Sequence, residues 1–115
     1  MMKSGKTSEI NIKVELSEEK VPVAITWSAT DSTANKPQQS KAFLLSLWDS
    51  HYKESLRIDL WTKDMLLEDM NTFFFETLMG LAETYNRASQ DAALAERLKN
   101  FALEFGEAVQ VIKRK

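Results

Sequence analysis

The chain contains no cysteine, which excludes a disulfide framework and any thiolate-held metal and fits a reducing compartment. Glycine is scarce at three residues and proline at two. Gly5, Gly80 and Gly106 stand apart from one another, so no glycine-rich loop can bring backbone amides up to a phosphate. His51 is the single histidine. It falls on the apolar stripe of its segment beside Trp48, which favours a hydrogen-bonded structural imidazole over the general base of a triad, and the trio Asp49, His51 and Asp59 has none of the known zinc spacings. Long apolar runs are also missing: Ala42–Leu45 and Phe73–Phe75 fall far short of the ~20 residues that cross a bilayer. The opening residues 1–8 are polar and lack the ~7–15 apolar residues of a secretory signal. Seventeen acids against fifteen bases, spread along the chain, give a net charge of −2 and no field that gathers phosphates. The one basic cluster, Lys113-Arg114-Lys115, suits the end of a helix. These absences predict a cytoplasmic protein that is not an enzyme, holds no metal or cofactor, inserts in no membrane and binds no nucleic acid.

What is present is a pattern of short periodic segments. A chain of 115 residues can bury roughly 65% of its unfolded surface, enough for a single domain over 1–115. Residues 1–7 read as a disordered tail. Ile10, Ile12, Val14 and Leu16 alternate with polar residues in a first strand, and Val23, Ile25 and Trp27 do so in a second, with a turn between them. Residues 30–37 collect turn formers and read as a loop. From Gln38 to about Tyr52, the spacing of Leu44, Leu47, Trp48 and His51 predicts a short helix opened by Pro37. Leu56, Ile58 and Leu60 then alternate with Arg57, Asp59 and Trp61 in a third strand.

Two helices follow. Asp64 is positioned to cap the first, which runs to about Ala88 with a stripe of Leu67, Met70, Phe74, Leu78, Leu81 and Tyr85 toward the core. Leu66, Phe73, Phe75, Met79 and Ala82 widen its apolar sector beyond what one sheet covers, so the last helix, Asp91 to about Ile112, is expected to pack there through Leu94, Leu98, Phe101, Phe105 and Ile112. Ser89 or Asp91 caps its start. Gly80 suggests a close approach of Phe105 or the last helix. The order β-β-α-β-α-α implies an α+β fold: a small antiparallel or mixed three-stranded sheet with helices packed on one face.

The candidate site is the outer row of the third strand. Arg57, Asp59 and Trp61 project to the side opposite Leu56, Ile58 and Leu60, beside Thr26 or Ser28 and Lys13 or Glu15 depending on strand order, with Lys63 extending the row. A solvated ion pair with a tryptophan lying on a neighbouring stem accounts for this row, and so does a protein-docking surface. The helical excess around Phe73, Phe75 and Met79 offers another use, a small chaperone or carrier holding a hydrophobic segment or ligand, and it leaves a homodimer through the same helices open.

Ser8-Glu9-Ile10, Trp27-Ser28-Ala29 with Asp31, Leu47-Trp48-Asp49, and above all Arg57-Ile58-Asp59-Leu60-Trp61-Thr62-Lys63-Asp64-Met65 resemble the GldC family of gliding motility-associated proteins. The likeness runs almost end to end. One departure is Leu66, where the family often has a proline. The resemblance implies a small soluble cytoplasmic protein without enzymatic activity that supports surface gliding. Its implied partner is a protein component of the gliding or linked secretion apparatus.

Overall fold

A computed structural model describes residues 5–31 and 36–113. Its α+β architecture has five strands and two helices, in the order β1 (Ile10–Leu16), β2 (Pro22–Ala29), β3 (Gln38–Ser40), β4 (Ala42–Asp49), β5 (Glu54–Trp61), α1 (Leu67–Ser89) and α2 (Ala92–Ala108). The chain forms two compact units, 1–65 with the strands and 66–115 with the helices. Parts of the expected tail at 1–7 and of the loop at 30–37 lie outside the described residues.

β1 and β2 pair antiparallel as the alternation predicts, with Ile12 opposite Trp27 and Val14 opposite Ile25. Opposite residues share a face, and Ile25 at its centre is 1% exposed. The turn between them is fixed by Ser17, whose hydroxyl and carbonyl accept from Val21 N and Lys20 N. Lys20 there takes a positive φ of 64°. Pro22 stands at the first residue of its strand, a position that needs no ladder donor.

The predicted helix over 38–52 is instead a bent strand. Its first residues form β3, pairing with β2 through Ile25 and Ser40, and the rest form β4, pairing with β5. The corner is held by Ser40, whose hydroxyl donates to Ala42 O at 2.7 Å and accepts from Ala42 N at 3.3 Å. Phe43, Leu45 and Leu47 lie on one side of β4, and Leu44, Ser46 and Trp48 on the other. Pro37 therefore precedes a strand.

In the helical unit α1 and α2 form an antiparallel hairpin. Asp91 caps α2 by accepting from Leu94 N at 3.0 Å. The helices meet through small residues: Ala82 on α1 and Ala95, Ala102 and Gly106 on α2 are buried. The stripe of Leu94, Leu98 and Phe101 does not fill this seam and is exposed. Small side chains let two helix axes approach closely, which the bulkier stripe beside them would prevent. The close approach expected at Gly80 falls instead at Gly106. A Cβ at Gly80 would meet nothing within 4 Å, whereas one at Gly106 would lie 2.7 Å from Cδ1 of Phe75 and 3.0 Å from Cγ1 of Ile112.

Candidate docking face

β5 owes its extended form to strict alternation and to the hairpin that presents it. Asp49 closes the β4–β5 turn, its Oδ1 accepting from His51 N at 2.9 Å and Tyr52 N at 3.2 Å, and Lys53 takes a positive φ of 57°. His51 is thus an exposed turn residue and not a member of a helix stripe beside Trp48. From Asp49 opposite Glu54 to Ala42 opposite Trp61 the register is unbroken.

Because residues directly opposite share a face, that register defines both sides of the hairpin. One side carries Phe43, Leu45, Leu47, Leu56, Ile58 and Leu60. The other carries Ala42, Leu44, Ser46 and Trp48 across from Trp61, Asp59, Arg57 and Ser55. Arg57, Asp59 and Trp61 therefore do share one face. Their cross-strand neighbours are β4 residues, not the Thr26, Ser28, Lys13 or Glu15 of the first two strands, since among the described residues β5 pairs with β4 alone.

The face has a polar centre and two indole ends. Nε of Arg57 lies 3.2 Å from Oδ2 of Asp59. Trp61 is 54% exposed at one end and Trp48 is 64% exposed at the other, about 20 Å away at the rise of a strand. Trp48 gives no sign in the sequence of being a surface residue, because its segment reads as helical. Ser46 is the one polar residue among 42–48, so the segment is apolar on both faces and alternation gives no signal for it.

Below the face, the end of β5 is locked. Thr62 is 2% exposed; its N–H donates to Lys41 O at 2.8 Å and its hydroxyl to Oδ1 of Asp64 at 2.6 Å. Lys41 Nζ reaches Oδ2 of Asp64 at 2.5 Å. The Lys41 ammonium first, and the Thr62 hydroxyl second, hold the Asp64 carboxyl below the ordinary carboxylate range. Asp64 is thus engaged with Lys41 and Thr62 and does not cap α1, whose N-cap residue Leu66 makes no side-chain cap bond. Lys63 lies past the end of β5, exposed, with its N–H donating to Pro22 O at 3.1 Å and so tying β5 to the start of β2. At the other edge of this unit Asp31 is bound by the Ser8 hydroxyl and by Lys6 Nζ at 3.0 Å, contacts that lower its pKa in the same order.

The motif Arg57–Met65 is therefore divided in its work. Arg57, Asp59 and Trp61 are displayed, while Thr62 and Asp64 fix the strand that displays them. A family model described as gliding motility-associated protein GldC-like matches residues 22–111, from the first residue of β2 to just past α2. The chain belongs to this GldC-like family. No curated protein and no solved structure matches it. The family match includes every residue of the displayed face and of the lock beneath it, and β1 precedes it. Among the described residues no helix is long and apolar enough to cross a membrane.

Proposed function

We propose that this chain is a cytoplasmic accessory protein of the gliding machinery that acts by binding another protein through the open face of the β4–β5 hairpin. Membership of the GldC-like family supplies the link to gliding motility. One observation carries the mode of action: the Arg57–Asp59 pair sits between two exposed indoles on one face. An ion pair this exposed adds under about 1 kcal/mol to the fold, and two solvated tryptophans add little more. Such a surface costs a free protein solubility and repays it when covered, because partly exposed tryptophans flanked by charges are the usual anchors of a protein interface. Trp61 and Trp48 serve as apolar anchors, and Arg57, Asp59 and Lys63 give polar specificity and orientation. The partner is a protein component of the gliding or linked secretion apparatus.

Trp61→Ala tests the proposal. Binding of the partner, isolated from gliding cells with tagged wild-type protein, weakens by more than about 1 kcal/mol while the thermal midpoint stays nearly unchanged. Arg57→Ala lowers capture of the same partner. A midpoint that collapses in Trp61→Ala would assign the indole to the fold, and equal capture by wild type and Arg57→Ala would remove this face from consideration.

A second reading rests on the helical unit. Leu94, Leu98 and Phe101 on α2 and Phe74, Leu81 and Tyr85 on α1 are exposed. Each row is rotated from the helix seam in the same sense, so in an antiparallel pair both rows lie on one side. This apolar side is where a chaperone or carrier would hold a hydrophobic segment. It is built from residues other than the Phe73, Phe75 and Met79 suggested by the sequence. Phe75 lies against Gly106, and Met79 lines the groove between the helices. Strong fluorescence of an apolar dye on the folded protein supports this reading, and its loss in Phe101→Ser places the dye there.

A further inference from the structure

Among the described residues β5 lies at the edge of its sheet, with β4 as its sole neighbour. Edge strands invite pairing, and proteins blunt them with bulges, prolines, charged side chains (lysine above all) or short length; the charges on β5 are of both signs and can pair with their opposites across an edge. Two of the other edges of this unit show such devices, since β1 has an irregular step between Glu15 and Leu16 and carries Lys13, and β3 is three residues long; the outer edge of β4 shows none. β5 runs eight residues without a bulge, a proline or a lysine. It also belongs to a two-stranded sheet, which is marginal alone, and Leu56 and Ile58 on its apolar side are each about half exposed.

The hydrogen-bond phase of the edge can be read from one contact. Thr62 N bonds Lys41 O, in the same register as the hairpin, so Leu60, Ile58 and Leu56 also turn their backbone groups toward β4. Arg57 and Asp59 turn theirs outward. A second strand docking there must form its bonds with these odd-numbered residues.

We propose that the strand which docks there is β5 of a second copy of this chain, antiparallel about a two-fold axis at Ile58, so that Arg57 of each copy lies opposite Asp59 of the other. Sequence and phase select this register. Centring on Arg57 or on Asp59 sets like charges opposite each other, whereas centring on Ile58 pairs opposite charges twice, Leu56 with Leu60 twice, and Ile58 with itself. The outward backbone groups of Arg57 and Asp59 then meet as hydrogen-bonded pairs, with Ile58 at the non-hydrogen-bonded position between them. β4, in contrast, has no charge between Lys41 and Asp49 to fix a register on its own outer edge. The result is one four-stranded sheet, β4-β5-β5-β4, whose two docking faces lie on the same side. The pairing uses the strand edge and stands whether or not that face binds a gliding component.

Light scattering on the purified full chain, with no partner present, tests it. At about 100 µM the wild type has twice the 13.2 kDa chain mass. Arg57→Asp and Asp59→Arg each place two like-charged pairs across the axis and yield the single-chain mass, with circular dichroism unchanged. The double swap Arg57→Asp/Asp59→Arg restores the doubled mass, and mixing the two single variants yields a mixed dimer. Ile58→Cys, the sole thiol in the chain, cross-links on oxidation, because the paired positions lie about 4.5 Å apart between Cα atoms. If either single variant fails to fold, this cross-link decides. A wild type of single-chain mass, a dimer indifferent to both charge reversals, or Ile58→Cys that does not cross-link overturns the proposal.

Discussion

Ala82, Ala95, Ala102 and Gly106 are buried in the helical hairpin, whereas Leu47, Trp48, Leu56, Ile58 and Trp61 in the strand hairpin are all exposed. The helical hairpin closes on its smallest side chains with its leucine and phenylalanine rows beside the seam, and the strand hairpin leaves both its tryptophans open. Burial of a small residue creates a tight contact that tolerates no added volume. Exposure of a large one leaves area whose favourable burial is still available to another surface. Substitutions in the two hairpins should therefore divide between stability and association.

The largest effect is expected where volume is added to the helix seam. Ala102 is fully buried, and Ala102→Leu inserts three carbons where α1 and α2 meet. Overpacking of this kind costs about 1–3 kcal/mol, so the chemical denaturation midpoint falls clearly. The equivalent enlargement on the strand face, Ser46→Leu, leaves the midpoint within about 0.5 kcal/mol of wild type, because Ser46 is exposed. If both substitutions destabilise alike, the strand hairpin is as closed as the helical one and the contrast fails.

A sharper version needs only two glycines. Gly80→Ala places its methyl in open space and gains helix propensity, raising stability by about 0.5–1 kcal/mol. Gly106→Ala gains the same propensity but drives its Cβ to 2.7 Å from Cδ1 and 2.8 Å from Cε1 of Phe75. The ring must shift, and overpacking exceeds the gain. Denaturant melts of the two variants should move in opposite directions. Equal stabilisation by both would show that Phe75 yields freely and that the seam is looser than its burial suggests.

Much of this contrast could be read from the residues, and the failures have physical causes. β1, β2 and β5 follow period two, and α1 and α2 follow their apolar spacing, so those elements stand close to where the pattern puts them. Residues 38–52 do not, because β4 is apolar on both faces. Leu44, Leu47, Trp48 and His51 mimic one face of a helix, and a continuous apolar run fits either element. The turn that would have betrayed the hairpin, Ser50-His51-Tyr52-Lys53, has no glycine or asparagine, although Lys53 adopts the positive φ that those residues favour. The helix contact face differs from the expected one for a related reason: the leucine and phenylalanine rows look like core, but close approach selects the alanines beside them. The displayed row Arg57, Asp59 and Trp61 was legible from alternation alone. Its companion Trp48 disappeared with the misread segment.

The smallest expected effect concerns the tie that holds the open hairpin in place. Lys41 and Thr62 lower the pKa of Asp64, so the folded chain binds a proton there less readily than the unfolded chain, whose carboxyl titrates near 3.8. A depressed folded-state pKa contributes stability that is fully present above the unfolded value and is lost as pH falls through the folded one. Asp64→Asn removes the charge and with it that contribution. The stability difference between wild type and Asp64→Asn should therefore be constant from about pH 7 to about pH 5 and shrink once pH falls below 3.8. It should be modest throughout and shrink further in high salt, since both Lys41 and Asp64 are more than half exposed. Asp31 titrates in the same direction but far along the sequence, so it adds to both proteins equally and cancels in the difference. A difference that grows on acidification would mean that the neutral carboxyl, not the charged one, is the form bound at this joint.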